Sequence, residues 1–477
     1  MQRHRLKSHR PQTHRPQTHR PQTHALRHHR PSLTARQRAF SVALAGLVAA
    51  AMASMLPAAP AHTLEELIDQ LTAPEAYDRA IAACQIGKMR SRDVSRASSA
   101  LLGLLGDGAT VEGRLCRQGW GSGDWQQDPS SPGREAAIAL ERVGTAAIDP
   151  LVAKLRSADA IVRENSALAL GLIESERTVE PLVSVLGDPV APVRAQAAWA
   201  LGMIEHASAV PPLARLVQDD EIADVRTQGA WALGMIEDAS AVQALGRAIE
   251  DESSAVRTQA AWALGMIEAS SAVPALSQAI RDESPKVREQ AAWALGMIEA
   301  ATAVPALAGA IRDESAEVRT QAAWALGMIE DASAVESLET ALADASAKVR
   351  EQAAWALGMI EDTSAVEALL EALRDDVAAV RQQAAWGLGM IESGTAVAGL
   401  IPALEDAEAE VREQAAWALG MVEDSRATEA LMQALQDEDP KVRKQVLWAL
   451  TRCVDADDPE LDYPQLAEHL RRALKNS

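Results

Sequence analysis

The sequence predicts an all-α fold, a right-handed α-solenoid (superhelix) of stacked antiparallel helix pairs. Three observations carry that expectation. A ten-residue phrase, Gln-Ala-Ala-Trp-Ala-Leu-Gly-Met-Ile-Glu, is intact at 259–268, 290–299, 321–330 and 352–361. It recurs, intact or with a single change, at 196–205, 228–237, 383–392 and 414–423. Its tryptophan falls at Trp199, Trp231, Trp262, Trp293, Trp324, Trp355, Trp386, Trp417 and Trp448, the first step being 32 residues and every later one 31. Finally, apolar residues within each unit recur at helical spacing, and no segment alternates with the period of two that marks a strand. A unit this short cannot bury its own apolar face, so a fixed period means stacking on neighbours. The aromatic usage agrees: 11 Trp stand against two Tyr and one Phe, and nine of those Trp occupy one column.

Each unit reads as two helices. In the unit from Thr302 to Ile329, the segment TAVPALAGAIRD spaces Val304, Leu307 and Ile311 along one face, with Pro305 near the start, where a missing N–H costs little. Asp313, Glu314 and Ser315 form the turn, and Ser315 is positioned to cap the segment AEVRTQAAWALGMIE. Asp331 opens the next unit. The expected lengths are about ten and fourteen residues, as the apolar spacing sets them.

Projecting the second helix at about 100° per residue separates its faces. Val287, Ala291, Ala294, Leu295 and Ile298 form the core stripe, and Glu289 lies opposite. Trp293 sits about 145° from the stripe centre and Met297 about 105° away on the same flank, while Ala292 and Gly296 occupy the other. One flank is bulky and the other nearly bare. Side by side, the Trp/Met flank of one helix is expected over the Ala/Gly flank of the next.

The pattern Asp-x5-Arg-x3-Ala-Ala-x-Ala-Leu-Gly-x-Ile resembles the HEAT-like repeats of phycobilisome lyases, with a period of about 31 residues. The resemblance covers residues 145–453, ten units marked by Arg163, Arg194, Arg226, Arg257, Arg288, Arg319, Arg350, Arg381, Arg412 and Arg443. It implies a ladder in which turn Asp and helix Arg bond between neighbouring units. The residues in register are Asp188 and Arg194, Asp220 and Arg226, Asp251 and Arg257, Asp282 and Arg288, Asp313 and Arg319, Asp344 and Arg350, Asp375 and Arg381, Asp406 and Arg412, and Asp437 and Arg443. The first unit departs, with Ser157 in place of the Asp. Independently of any family, an Arg fork on a carboxylate is a geometrically demanding contact suited to setting register.

The ends differ, as caps should. Residues 62–144 read as an irregular N-terminal helical cap, split by a Gly/Ser/Pro-rich insertion at about 106–133 that brings in Trp120 and Trp125. Ile138 and Leu168 stand where later units have Trp, and Thr451 replaces the last Gly. Residues 454–477 carry a C-terminal capping helix.

Residues 1–61 are a different material: ten Lys/Arg, seven His and no acid, then an Ala-rich apolar stretch at 39–56 and Ala59-Pro60-Ala61. Basic region, apolar run and small-residue ending predict an export signal cleaved near Ala61, and hence a periplasmic or secreted protein. A membrane anchor through an uncleaved signal is the alternative. Without this segment, 46 − 10 = 36 Lys/Arg face 67 Asp/Glu, a net charge of −31. Such a surface repels phosphate backbones, which argues against nucleic acid.

Cys84 and Cys116 flank the irregular first unit and are the expected disulfide, worth roughly 3–4 kcal/mol in the chain-entropy picture. Cys453 falls on the buried stripe and reads as a packed thiol.

Nine Trp-bearing helices packed 8–10 Å apart make a ridge roughly 70–80 Å long. Beside the Trp column run Met203, Met235, Met266, Met297, Met328, Met359, Met390 and Met421. Two readings stand. The columns pave a groove for a protein or extended peptide, or the indoles fill the spaces between units over Ala292- and Gly296-type positions. A mixture is expected, with each ring partly exposed. A polyproline II partner advances about 9.3 Å per turn, close to the unit step.

Enzymatic readings fare worse. The resemblance brings in hydroxylases that bind iron through His-Glu pairs, and lyases that attach bilins. Only His62, His206 and His469 lie beyond residue 61, and none precedes a Glu, which excludes that iron site. Gly119-Trp120-Gly121-Ser122-Gly123 lacks the strand-to-helix context of a phosphate cradle. No catalytic, cofactor or metal constellation is expected. The expectation is therefore an exported interaction scaffold, with a structural spacer, an assembly chaperone or a lyase-type enzyme as alternatives.

Overall fold

The computed structural model describes residues 62–112, 115 and 130–454. Among these residues every regular element is helical, apart from one isolated bridge between Val111 and Ser130. The second helix of each unit packs between the second helices of its two neighbours, and a shorter first helix covers it from one side. The result is an α-solenoid.

The ten second helices, from Ala160–Ile173 to Pro440–Cys453, are each fourteen residues long. Pro285–Ile298 is typical: Val287, Ala291, Ala294, Leu295 and Ile298 are buried, and so are Ala292 and Gly296 on the small flank. Full burial of a side chain such as Leu295 contributes about 1.5–3 kcal/mol. Glu289, expected opposite the stripe, is half-buried.

The first helix differs from expectation. Its ten-odd residues divide into a 3-10 turn, Ala301–Ala303, and a seven-residue α-helix, Val304–Ala310. In several units an Asp or Ser side chain at the start of the segment accepts from the amide two residues on, as Asp331 does from Ser333 at 2.9 Å, and this supports the tight entry. Ala269 and Ala300 open the same 3-10 turn without such a bond. Ser315 accepts from the Val318 amide at 3.4 Å.

Nine of the second helices end on a glutamate in the left-handed region, Glu174 through Glu423, with φ between 52° and 55°. Glycine is the usual occupant, because a Cβ there costs about 1 kcal/mol or more. The tight reversal lets the next 3-10 turn begin within two residues.

The row of second helices continues into the cap through Ala76–Gly87 and Pro132–Glu141. Cys84 is disulfide-bonded. Its expected partner Cys116 lies outside the described residues, as do residues 1–61, Trp120, Trp125, Gly119–Gly123 and the closing segment 455–477.

Candidate functional site: the tryptophan face and its supporting ladder

Each indole lies across the helix before its own. A Cβ built on Gly296 would stand 2.7 Å from Trp324 Cζ3 and 2.9 Å from both Cα and Cβ of Ala325. The same close approach recurs from Gly171 with Trp199 to Gly420 with Trp448. The glycine therefore lets two backbones come together and leaves a shelf for the ring edge. The stacking direction corrects the expectation: the rings cover the preceding unit, not the following one. None turns into its own helix pair.

All nine indoles, and the eight column methionines, are half-buried. One turn before each Trp stands a glutamine, also half-buried. Side chains of this Gln column, Gln196 through Gln414, form no hydrogen bond among the described residues. Between Trp324 and Trp355 the face holds a depression of about 240 Å³, completed by Glu351, Gln352 and Gln383.

The Asp-Arg ladder runs where each second helix begins. Arg288 donates from Nε and Nη2 to Asp313 of the next unit at 2.7 and 2.8 Å, and from Nη1 to the Asp282 carbonyl of its own turn at 2.9 Å. One guanidinium thus ties two successive turns. The same fork repeats from Arg194 with Asp220 to Arg412 with Asp437. The side chains are largely shielded, at 8% and 11% exposure for Arg288 and Asp313. Burial alone would push the Asp313 carboxyl upward. The bonds from Arg288 and the Ser315 amide, with the charges of Arg288 and Arg319, outweigh it and hold the group below its ordinary value. Asp188, Asp220, Asp251, Asp344, Asp406 and Asp437 behave alike.

Comparison with known proteins places a repeat family on the same stretch of the chain. The model of HEAT repeats matches residues 148–234, 223–284, 273–347, 335–400 and 397–477. The chain belongs to the HEAT-repeat family. No curated protein sequence matches it. Its HEAT array is similar in fold to importin beta, with a TM-score of 0.55 at 14% identity over 82% of this chain and 61% of that one. Kap121p bound to the extreme C-terminus of the protein phosphatase Cdc14p gives 0.53 at 14%, over 93% and 55%. The chain therefore spans little more than half the length of those karyopherins. The complex of CpcE and CpcF of phycocyanin lyase from Nostoc sp. PCC7120 gives 0.31 at 23%, over 50% and 94%.

Three arginine contacts lie beyond the pairs that the sequence register marks. Arg163 forms a full rung to Asp188 at 2.6 and 2.9 Å although Ser157 replaces the Asp of its own turn. Only the Ser157 carbonyl is needed there, at 2.8 Å, so the departure leaves that rung intact. Arg79 makes an equivalent bond to Asp107 at 2.6 Å inside the cap, where an irregular spacing of 28 residues hides the pair. At the other end Arg452 replaces the column Met. Its guanidinium lies 5.2 Å from the Trp448 ring centroid, donates to the Gly420 carbonyl at 2.9 Å and pairs with Glu423.

Other features carry little chemistry. A wider depression of about 990 Å³ follows the first helices and ladder turns near Arg257, Gln278, Arg281 and Pro305. Cys453 donates to the Leu419 carbonyl at 3.2 Å, and burial raises its thiol to about 11, far from a nucleophile's range. Among the described residues no group of three His, Cys, Asp or Glu is arranged to hold a metal, and no helix is long and apolar enough to cross a membrane.

Proposed function

We propose that this HEAT scaffold binds an extended polypeptide along its Trp/Met face, and that it does so after export to the periplasm or the medium. The supporting observation is the coincidence of half-buried indoles with a column of glutamine carboxamides that have no partner of their own. Ring surface supplies apolar contact, and carboxamides supply the donors and acceptors that an extended backbone needs. Kap121p, a solenoid of similar fold, is bound to a protein's extreme C-terminus.

A spacer that binds nothing has one observation in its favour: each ring edge is committed to the preceding glycine. Replacing Gln321, Gln352 and Gln383 with Ala separates the readings, since these side chains hold nothing together. The scaffold reading expects an unchanged melting temperature and weakened binding of Pro-rich peptides, followed by tryptophan fluorescence. A wild-type spectrum that ignores every such peptide favours the spacer. Export is tested by N-terminal sequencing of the protein from the extracytoplasmic fraction, with His62 expected as the first residue.

A further inference from the structure

The Trp face is not uniform along its length. In the position after the ladder arginines from Arg257 to Arg412 the side chains run Thr258, Glu289, Thr320, Glu351, Gln382, Glu413. Over that stretch a carboxylate returns at every second unit. Glu351 lines the depression between Trp324 and Trp355 together with Gln352 and Gln383, and it forms no ion pair or side-chain hydrogen bond among the described residues. A slot with two indole walls, a carboxylate and two carboxamides suits a guanidinium or an ammonium. The ring faces attract the cation, the carboxylate neutralises it, and the amides take the remaining polar atoms.

The molecule already uses this chemistry on the same column. Arg452 lays its guanidinium over Trp448 and pairs with Glu423, so an indole of this row accepts a cation in the folded protein. On the other eight Trp helices the equivalent position is Met, and among the described residues no other guanidinium lies over an indole of this row. Charge points the same way, since residues 62–477 carry 36 Lys/Arg against 67 Asp/Glu.

We propose that the face receives an extended basic polypeptide whose Arg or Lys side chains enter slots centred on Glu289, Glu351 and Glu413. This rests on the interaction reading above and adds the chemistry of the partner. Neighbouring helices lie 8–10 Å apart, so successive slots are about 16–20 Å apart. An extended chain rises about 3.1–3.4 Å per residue, which places its basic residues five or six apart. Glu289 is held by Lys286 at 3.2 Å in an exposed pair, which a better-placed cation displaces readily.

The test uses the full chain and three fluorescein-labelled Gly/Ser/Pro peptides of equal length. One has three arginines six residues apart, one has the same arginines adjacent, and one has glutamines instead. The expected result is that the spaced-arginine peptide binds most tightly and weakens with added salt. Combined Glu289→Gln, Glu351→Gln and Glu413→Gln should loosen it about tenfold with an unchanged circular-dichroism melt. Equal binding to the triple variant overturns the proposal, and so does equal binding of the glutamine peptide. If that glutamine peptide is released by the Gln321, Gln352 and Gln383 replacements, the interaction face survives without its basic preference. Binding of none of the three also overturns the basic receptor, while the wider reading is decided by the Pro-rich titration above.

Discussion

The cap and the array build the same helix row with different side chains. Both tie turns with an arginine fork, Arg79 to Asp107 in the cap and Arg288 to Asp313 in the array. Both bring second helices together at a glycine, since a Cβ on Gly87 would lie 3.2 Å from Ala139 and one on Gly296 2.9 Å from Ala325. Among the described residues, however, the indole column is confined to the array. Ile138 and Leu168 occupy its place toward the N-terminus, and Leu168 packs there at 6% exposure. Stacking therefore does not require tryptophan. Nine large rings retained where an aliphatic side chain suffices are the feature that packing alone leaves unexplained.

That contrast can be broken or sharpened by substitution, the largest effect coming from the ladder. Arg288→Ala strands the shielded Asp313 carboxylate and should destabilise the array by about 3–5 kcal/mol, read from denaturant unfolding. Arg79→Ala should lose less, because its pair is more exposed, at 17% and 19%. If the cap rung proves the costlier of the two, the shared-fork comparison fails. Acid probes the same contacts. The ladder carboxylates are depressed in the folded state, so their contribution is complete above the ordinary aspartate value and is lost as pH falls through the lower folded values. Thermal midpoints should drop steeply below about pH 4, and Asp313→Asn should lower the midpoint at neutral pH while flattening that limb.

Overpacking comes next. Gly296→Ala drives a methyl into Trp324 and Ala325 and should cost about 1–3 kcal/mol. Pairing it with Trp324→Leu should recover part of that loss, the coupling being measured by a double-mutant cycle. Trp355→Leu alone, which copies Leu168 of the first unit, should cost about 1 kcal/mol; a loss several times larger would make the ring a packing requirement after all. The smallest change is a gain. Glu330→Gly removes the Cβ from a left-handed position and should stabilise by about 0.5–1 kcal/mol, seen as a raised melting temperature.

Much of this architecture was legible in the residues, and the rest was hidden for identifiable reasons. The spacing of Val287, Ala291, Leu295 and Ile298 reveals the buried stripe, because helical geometry is local. Gly296 beside Trp293 reveals a lopsided helix, but not which neighbour each flank meets. The cap rung escapes because Arg79 and Asp107 lie at an irregular interval, and the Arg163 rung because a backbone carbonyl replaces a side chain without trace. The left-handed glutamates escape because residue preference there favours glycine, so only the observed φ reveals the strain. The slot around Glu351 escapes because its walls come from three successive units.

The resemblance to HEAT-like repeats implied the ladder; periodicity by itself determined the repeat unit, the helix pair, the buried stripe and the column of rings. These follow from 3.6 residues per turn and from a unit too small to bury itself. Tertiary structure alone decided the stacking direction, the seating of each indole on the glycine before it, and the meeting of Trp324, Glu351, Gln352, Trp355 and Gln383 in one depression. A linear repeat is indifferent to which neighbour a flank faces. That choice is made only when backbones close to contact distance and one direction alone leaves room for the ring.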